Sequence, residues 1–287
     1  MMTVLQGIRV TSLATNIPGP VAAARLRDMG ATLVKVEPPS GDGLASASPK
    51  WYADLHKGVE VLGLDLKQSS GMERLHEYLA ESDLLLTASR PSALRRLGLE
   101  WPTLAGRYPR LCQVAIVGYS PPKEEKPGHD LTYQASLGLL KPPDLPLTVL
   151  ADLAGAERTV TAALALLYRR ERATIKGAVL DESDRFAWAP LSDAAAAFAE
   201  PLRRGLTEPG GLLGGLLPGY NLYETQDGWI AIAALERHFL AKLAQELALE
   251  SVTRDAMKEA FLARTAAEWE EWAAERDIPL LAVKGAT

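Results

Sequence analysis

His129 and Asp152 are the side chains of this 287-residue sequence whose types and settings best suit proton transfer. His129 sits in Pro127-Gly128-His129-Asp130, between a polar loop and an apolar stretch. A histidine titrates near neutrality and serves as general acid or base; the same position also suits a loop histidine capping the helix that follows. Asp152 comes after the strand-like run Thr148-Val149-Leu150-Ala151 and before a long apolar helix. Ligand sites of open α/β sheets gather at the carboxyl ends of strands, although an aspartate there is equally a helix N-cap. Glu236 directly follows Ala233-Ala234-Leu235; its alternative role is a first-turn glutamate complementing a helix dipole. Lys35 and Arg90 lie near predicted strand ends, as phosphate contacts or as solvated surface charges.

Other chemistries lack their residues. The first strand-to-helix turn is Asn16-Ile17-Pro18-Gly19-Pro20, without the G-x-G-x-x-G of a dinucleotide site, and neither G-x-x-x-x-G-K-[ST] nor G-x-S-x-G occurs. The four histidines, His56, His76, His129 and His238, have no metal-ligand spacing, and the single Cys112 supports neither a disulfide framework nor a cysteine-built metal site. No metal is therefore expected. With 31 basic and 36 acidic side chains the net charge is −5, which lacks the positive footprint of a nucleic-acid binder. The longest apolar run, near Val160 to Tyr168, falls short of the ~20 residues of a bilayer span. Met1 to Gln6 shows no basic segment leading into an apolar one. The expectation is a cytoplasmic protein with neither nucleic-acid nor membrane partners.

These residues need a scaffold, and the pattern predicts an α/β one. Ile8–Leu13 reads as a strand. A helix follows from about Pro20 with a stripe of Ala22, Leu26 and Met29, and Thr32–Val36 is a second strand. Strand, helix, strand at this spacing is a right-handed βαβ unit. Val59–Leu66, Leu84–Thr87 and Leu111–Val117 continue an open, mostly parallel sheet, and a buried helix runs from about Leu153 to Arg170. The character changes after about Asp184. Gly and Pro cluster from Glu208 to Gly219, and Gln226-Asp227-Gly228 between two strand-like runs signals a hairpin. Helices near Glu236–Leu247 and Thr265–Glu275 follow, the latter with Thr265 and Glu268 in capping-box spacing. The predicted organisation is a large Rossmann-like domain over 1–185, then a linker and a smaller α+β domain over 186–287.

Taken together these segments resemble the family III CoA-transferases, and within them the α-methylacyl-CoA racemase branch. The opening Gly7-Ile8-Arg9-Val10, Pro18-Gly19-Pro20 and Gly30-Ala31-Thr32-Leu33-Val34-Lys35-Val36-Glu37 is similar to the family's G-I-R-V, A-G-P and L-G-A-D-V-I-K-V-E. Leu64-Asp65-Leu66-Lys67, Arg90-Pro91, Arg96-Leu97-Gly98-Leu99 and Tyr108-Pro109-Arg110-Leu111 match further segments in order. So does Tyr223-Glu224-Thr225 with Asp227-Gly228 and Ala233-Ala234-Leu235-Glu236.

The resemblance implies an interlocked homodimer and a CoA thioester as ligand, with coenzyme A entering only as part of the substrate and no separate cofactor. His129 and Asp152 would be the two bases of a racemase acting on a 2-methylacyl-CoA, with Glu236 beside the histidine. Lys35, Lys57, Arg90, Pro18 and Gly19 would contact the CoA. In the transferase branch Asp152 would instead be the nucleophile; the third reading is a degenerate relative that binds acyl-CoA without turnover. Pro38 and Asp54-Leu55-His56-Lys57 stand where the family carries cationic residues. Backbone N–H groups at the helix start after Asp152 are the expected donors to an enolate oxygen.

Overall fold

The computed structural model describes residues 3–285 and divides into two compact units, up to Phe198 and from Ala199. In the first unit the chain runs β1 (Arg9–Ser12), α1 (Pro18–Asp28), β2 (Thr32–Glu37), α2 (Gly43–Ala47), α3 (Pro49–Leu55) and β3 (Glu60–Gly63). It continues through α4 (Ser69–Glu81), β4 (Leu84–Thr87), α5 (Pro91–Arg96), α6 (Trp101–Arg107), β5 (Cys112–Val117) and α7 (Asp130–Ser136). The 27-residue α8 (Leu150–Lys176), β6 (Phe186–Pro190) and α9 (Leu191–Phe198) complete it.

All six strands are parallel, in the order β3-β2-β1-β4-β5-β6. Alternation along the strands sorts the core into two layers. Val10, Leu33, Leu84, Leu86, Cys112, Val114 and Ile116 pack with α1 and α8. Val36 and Leu85 face the other way, toward Leu75 and Leu79 of α4 and Leu94 and Leu104 of α5 and α6. Covering both faces is what a parallel sheet requires. The order in which strands are added reverses between β1 and β4, and the crevice beyond the carboxyl ends of that pair is where such folds bind ligands.

Three local features depart from expectation. The unit ends at Phe198 and not near 185, because Phe186–Pro190 joins the sheet through β5 and α9 packs beneath it. The Thr148–Ala151 run is not a strand: α8 starts at Leu150, since a side chain from α7 caps it. The turn between β1 and α1 is tighter than read, with the helix beginning at Pro18.

The second unit holds α10 (Glu200–Arg203), β7 (Tyr220–Glu224), β8 (Trp229–Ala233), α11 (Arg237–Glu246), α12 (Arg254–Phe261), α13 (Ala266–Glu275) and β9 (Leu280–Ala282). The Asp-Gly turn does close an antiparallel hairpin, Glu224 opposite Trp229, and β9 adds a third strand on β8. Trp269, Trp272, Phe261 and Met257 form the core against this sheet. The capping box is present: Thr265 N donates to Glu268 Oε2 at 2.9 Å and Glu268 N to Thr265 Oγ1 at 3.3 Å. None of the helices among the described residues is long and apolar enough to cross a membrane.

Candidate functional site

A cleft of about 240 Å³ opens at the crevice where the strand order reverses. Thr15, Asn16 and Pro18 enter it from the β1–α1 turn, Ser89 and Arg90 from the end of β4, Gly118 from the end of β5. The loop before α7 adds Glu124, Lys126, Pro127, Gly128 and His129, and α8 adds Asp152. Four of the residues singled out in the sequence, Pro18, Arg90, His129 and Asp152, therefore meet around one space.

His129 is the N-cap of α7. Its backbone N–H donates to Thr132 Oγ1 at 3.0 Å, and the Thr132 hydroxyl donates back to the His129 carbonyl at 2.7 Å. Capping therefore uses the backbone and leaves the imidazole exposed on the cleft. The helix-cap reading of His129 holds, and its imidazole lines the cleft.

Asp152 occupies the first turn of α8, where a carboxylate complements the helix dipole. Burial nevertheless dominates: it pushes the carboxyl up to about 6, the Asp130 charge adds to that rise, and His129 opposes it. A group poised there accepts and returns a proton near neutrality.

Asp130, which the sequence reading left without a role, holds the two helices together. Its Oδ1 accepts from Ala151 N at 2.7 Å and Asp152 N at 3.1 Å, and its Oδ2 from Gln134 Nε2 at 2.6 Å. Gln134 Nε2 also donates to the Thr148 carbonyl at 3.2 Å. This network corrects the expected oxyanion donors. The amides of Ala151 and Asp152 are taken by Asp130, and that of Leu153 by the Val149 carbonyl. A signal was available: an aspartate directly after the histidine, in a first helical turn, is a capping residue looking for orphan amides.

Tyr133 closes the cleft floor, 1% exposed, its ring edge-on to Tyr119 at 5.2 Å. Burial pushes its phenol up to about 12, with the Tyr119, Asp152 and Asp130 charges adding. A Cβ at Gly118 or Gly128 would run into this phenol, which explains glycine on both sides of the ring.

The other expected contacts fall elsewhere. Lys35 is 2% exposed, its ammonium paired with Asp42 and with Glu37 Oε1 at 3.0 Å, and 3.0 Å from His56 Nε2. It is committed to an internal ion pair and presents no charge to a phosphate. Asp42 also accepts from Asn16 N at 2.9 Å, so this cluster fixes the left-handed Asn16 at the cleft edge. Gly19 is buried against Ala14, where a side chain has no room. Lys57 is exposed at the end of the α3 turn, outside the cleft lining. Glu236 belongs to the second unit, as the exposed N-cap of α11.

A family model described as CoA-transferase family III matches residues 5–287. The chain is 32% identical over 268 residues to α-methylacyl-CoA racemase of Mus musculus, covering 86% of this chain and 66% of that protein. It is 36% identical over 139 residues to cinnamoyl-CoA:phenyllactate CoA-transferase of Clostridium sporogenes, covering 44% and 34%. The chain thus spans about two-thirds of the mouse relative and a third of the clostridial one. Among solved structures, a hypothetical protein of Mycobacterium tuberculosis superposes with a TM-score of 0.82 at 23% identity, covering 99% of this chain and 87% of that one.

Proposed function

The chain belongs to CoA-transferase family III, and from that premise we propose that it acts on an acyl-CoA thioester, inverting the carbon α to the carbonyl of a 2-methylacyl group. The observation that carries this reading is a histidine and a carboxyl raised to about 6 lining one cleft. Inversion needs one group to take the α proton from one face while another returns a proton to the opposite face. When Asp152 is the base, His129 is the acid; the reverse reaction exchanges their roles. An enolate forms between the two transfers, and its oxygen needs a donor. Arg90 is a cation on the cleft suited to a CoA phosphate, with coenzyme A present only as part of the substrate. Glu236 keeps the role that the family resemblance implies, a glutamate acting with the histidine.

A transferase mechanism is the second reading, favoured by the similarity to the clostridial CoA-transferase. Asp152 would then attack the thioester carbonyl, releasing the CoA thiolate and forming a mixed anhydride with the acyl group. Such a nucleophile works as the carboxylate, which a carboxyl at about 6 still supplies at neutral pH, but this route gives the His129 imidazole on the cleft no step.

The test is α-proton exchange. The protein is incubated with a 2-methylacyl-CoA in deuterated water, and deuterium at the α carbon is followed by mass spectrometry. Incorporation is expected, and His129→Ala and Asp152→Asn should each abolish racemisation while circular dichroism shows the fold kept. Near-normal turnover in either variant removes the two-base assignment. Transfer of CoA to an added carboxylate, without α exchange, selects the second reading.

A further inference from the structure

Between β5 and α7 the chain runs along the cleft as a short strap tied at both ends. Two successive turns compact it: Lys123 N donates to the Ser120 carbonyl at 2.9 Å, and Lys126 N to the Lys123 carbonyl at 2.9 Å. At one end Ser120 Oγ donates to Asp193 Oδ2 of α9 at 2.6 Å. At the other, Glu125 reaches α5, 33 residues away in the chain. Its Oε1 accepts from Ser92 N at 2.7 Å and its Oε2 from Ser92 Oγ at 2.9 Å. The start of α5 needs that acceptor. Its N-cap, Arg90, makes no capping bond with its side chain, and its first turn holds no acid. The Ser92 amide is an orphan donor of a helix start, and Glu125 satisfies it from another segment. Both joined segments line the cleft, through Ser89 and Arg90 on the α5 side and Lys126 and His129 on the strap side. Glu125 itself does not line it.

We propose that Glu125 is a positioning residue that sets the reach between Arg90 and the proton-transfer pair, His129 and Asp152. The pair is already held from the far side, where Asp130 ties α7 to α8. Glu125 supplies the near side by clasping the start of α5, and Arg90 stands two residues before Ser92. Both of its oxygens are spent on one serine, and a two-point contact to a carboxylate fixes orientation as well as distance. Only three residues separate Glu125 from His129, and Pro127, with its locked φ, is one of them, so little slack lies between clasp and imidazole. A thioester anchored at a phosphate by Arg90 then has its α carbon presented to His129 and Asp152 at one reach. With the clasp open the ligand still binds, but the two walls shift against each other, and a misplacement of about 1 Å costs up to about 10²-fold in rate. This consequence rests on the acyl-CoA reading; the clasp itself does not.

The experiment measures α-proton exchange kinetics on a 2-methylacyl-CoA for the parent, Glu125→Ala, Glu125→Gln and the double variant Glu125→Ala, Ser92→Ala. Glu125→Ala is expected to lower kcat about tenfold while KM moves less than about threefold. Glu125→Gln keeps both contacts, its carbonyl accepting from Ser92 N and its amide donating to Ser92 Oγ, and should stay within about twofold of the parent. The double variant should be no slower than Glu125→Ala alone, because the partner is already lost. A parental kcat in Glu125→Ala, a rise in KM alone, or losses that multiply in the double variant overturns the proposal. So does Glu125→Gln as slow as Glu125→Ala, which would assign the effect to charge. A second measurement needs no substrate: amide hydrogen exchange of peptides covering 89–94 and 119–128. Both should exchange faster in Glu125→Ala and as in the parent in Glu125→Gln, with 84–87 unchanged in each. Parental exchange in Glu125→Ala overturns the clasp. Absence of α-proton exchange in the parent overturns the acyl-CoA reading alone, and the amide exchange still decides the clasp.

Discussion

Asp152 combines a charged side chain with a setting that disfavours its charge. Its carboxyl stands at about 6 in the folded chain against an ordinary 3.8. A carboxyl whose folded value is raised contributes fully to stability only while protonated, and that contribution is lost as pH rises through about 6. Asp152→Asn should therefore gain stability over the parent at pH 8 relative to pH 4, by about 1–2 kcal/mol after allowance for partial exposure. Thermal unfolding at the two pH values measures this, and an equal difference at both refutes it. Asp130→Asn separates the two causes of the shift. The amide still accepts from Ala151 and Asp152 but carries no charge. The Asp152 titration, followed by carboxyl ¹³C NMR, should move below 6; an unmoved midpoint would assign the whole shift to burial.

At the level of elements, the short α7 and the long α8 form one device. Asp130 at the start of α7 caps the start of α8, so the positions of His129 and Asp152 are coupled through a single carboxylate. Tyr133, on the same short helix, needs the bare backbone of Gly118 and Gly128 to reach its place. Gly128→Ala should push against the phenol and cost about 1–3 kcal/mol, as overpacking does, while shifting the adjoining His129. Urea unfolding measures the first effect, and α-proton exchange the second. A variant of unchanged stability and exchange would show that the ring has room to yield.

Across the molecule, the first unit carries the cleft and the second carries Glu236, each around its own core. The family resemblance implies two chains interlocked. Light scattering on the eluting protein is expected to give twice the chain mass of 30.9 kDa, stable to dilution because interlocked chains separate only by unfolding. A mass of one chain at micromolar concentration would refute the interlocked dimer.

The apolar runs Leu84–Thr87 and Cys112–Val117, the βαβ opening, the Asp-Gly hairpin and the Thr265 capping box were legible along the chain. In each, the interactions that decide the structure lie within a few residues or follow from burial on both faces of a strand. His129 and Asp152 stand out by type and by family resemblance, and the fold brings both to one cleft. Tertiary structure decided the rest. Phe186–Pro190 is an edge strand only because β5 offers it a parallel ladder, and five residues ending in proline carry no pattern that announces such a partner. Thr148–Ala151 has strand-forming residues but yields to α8, because a carboxylate some twenty positions earlier supplies the missing cap. Lys35 looks like a phosphate ligand in sequence and is an internal ion pair in space. Spacing along the chain gives a residue's type and its local element; which charges face one another, and which amides are already taken, is set by contacts between segments far apart in sequence.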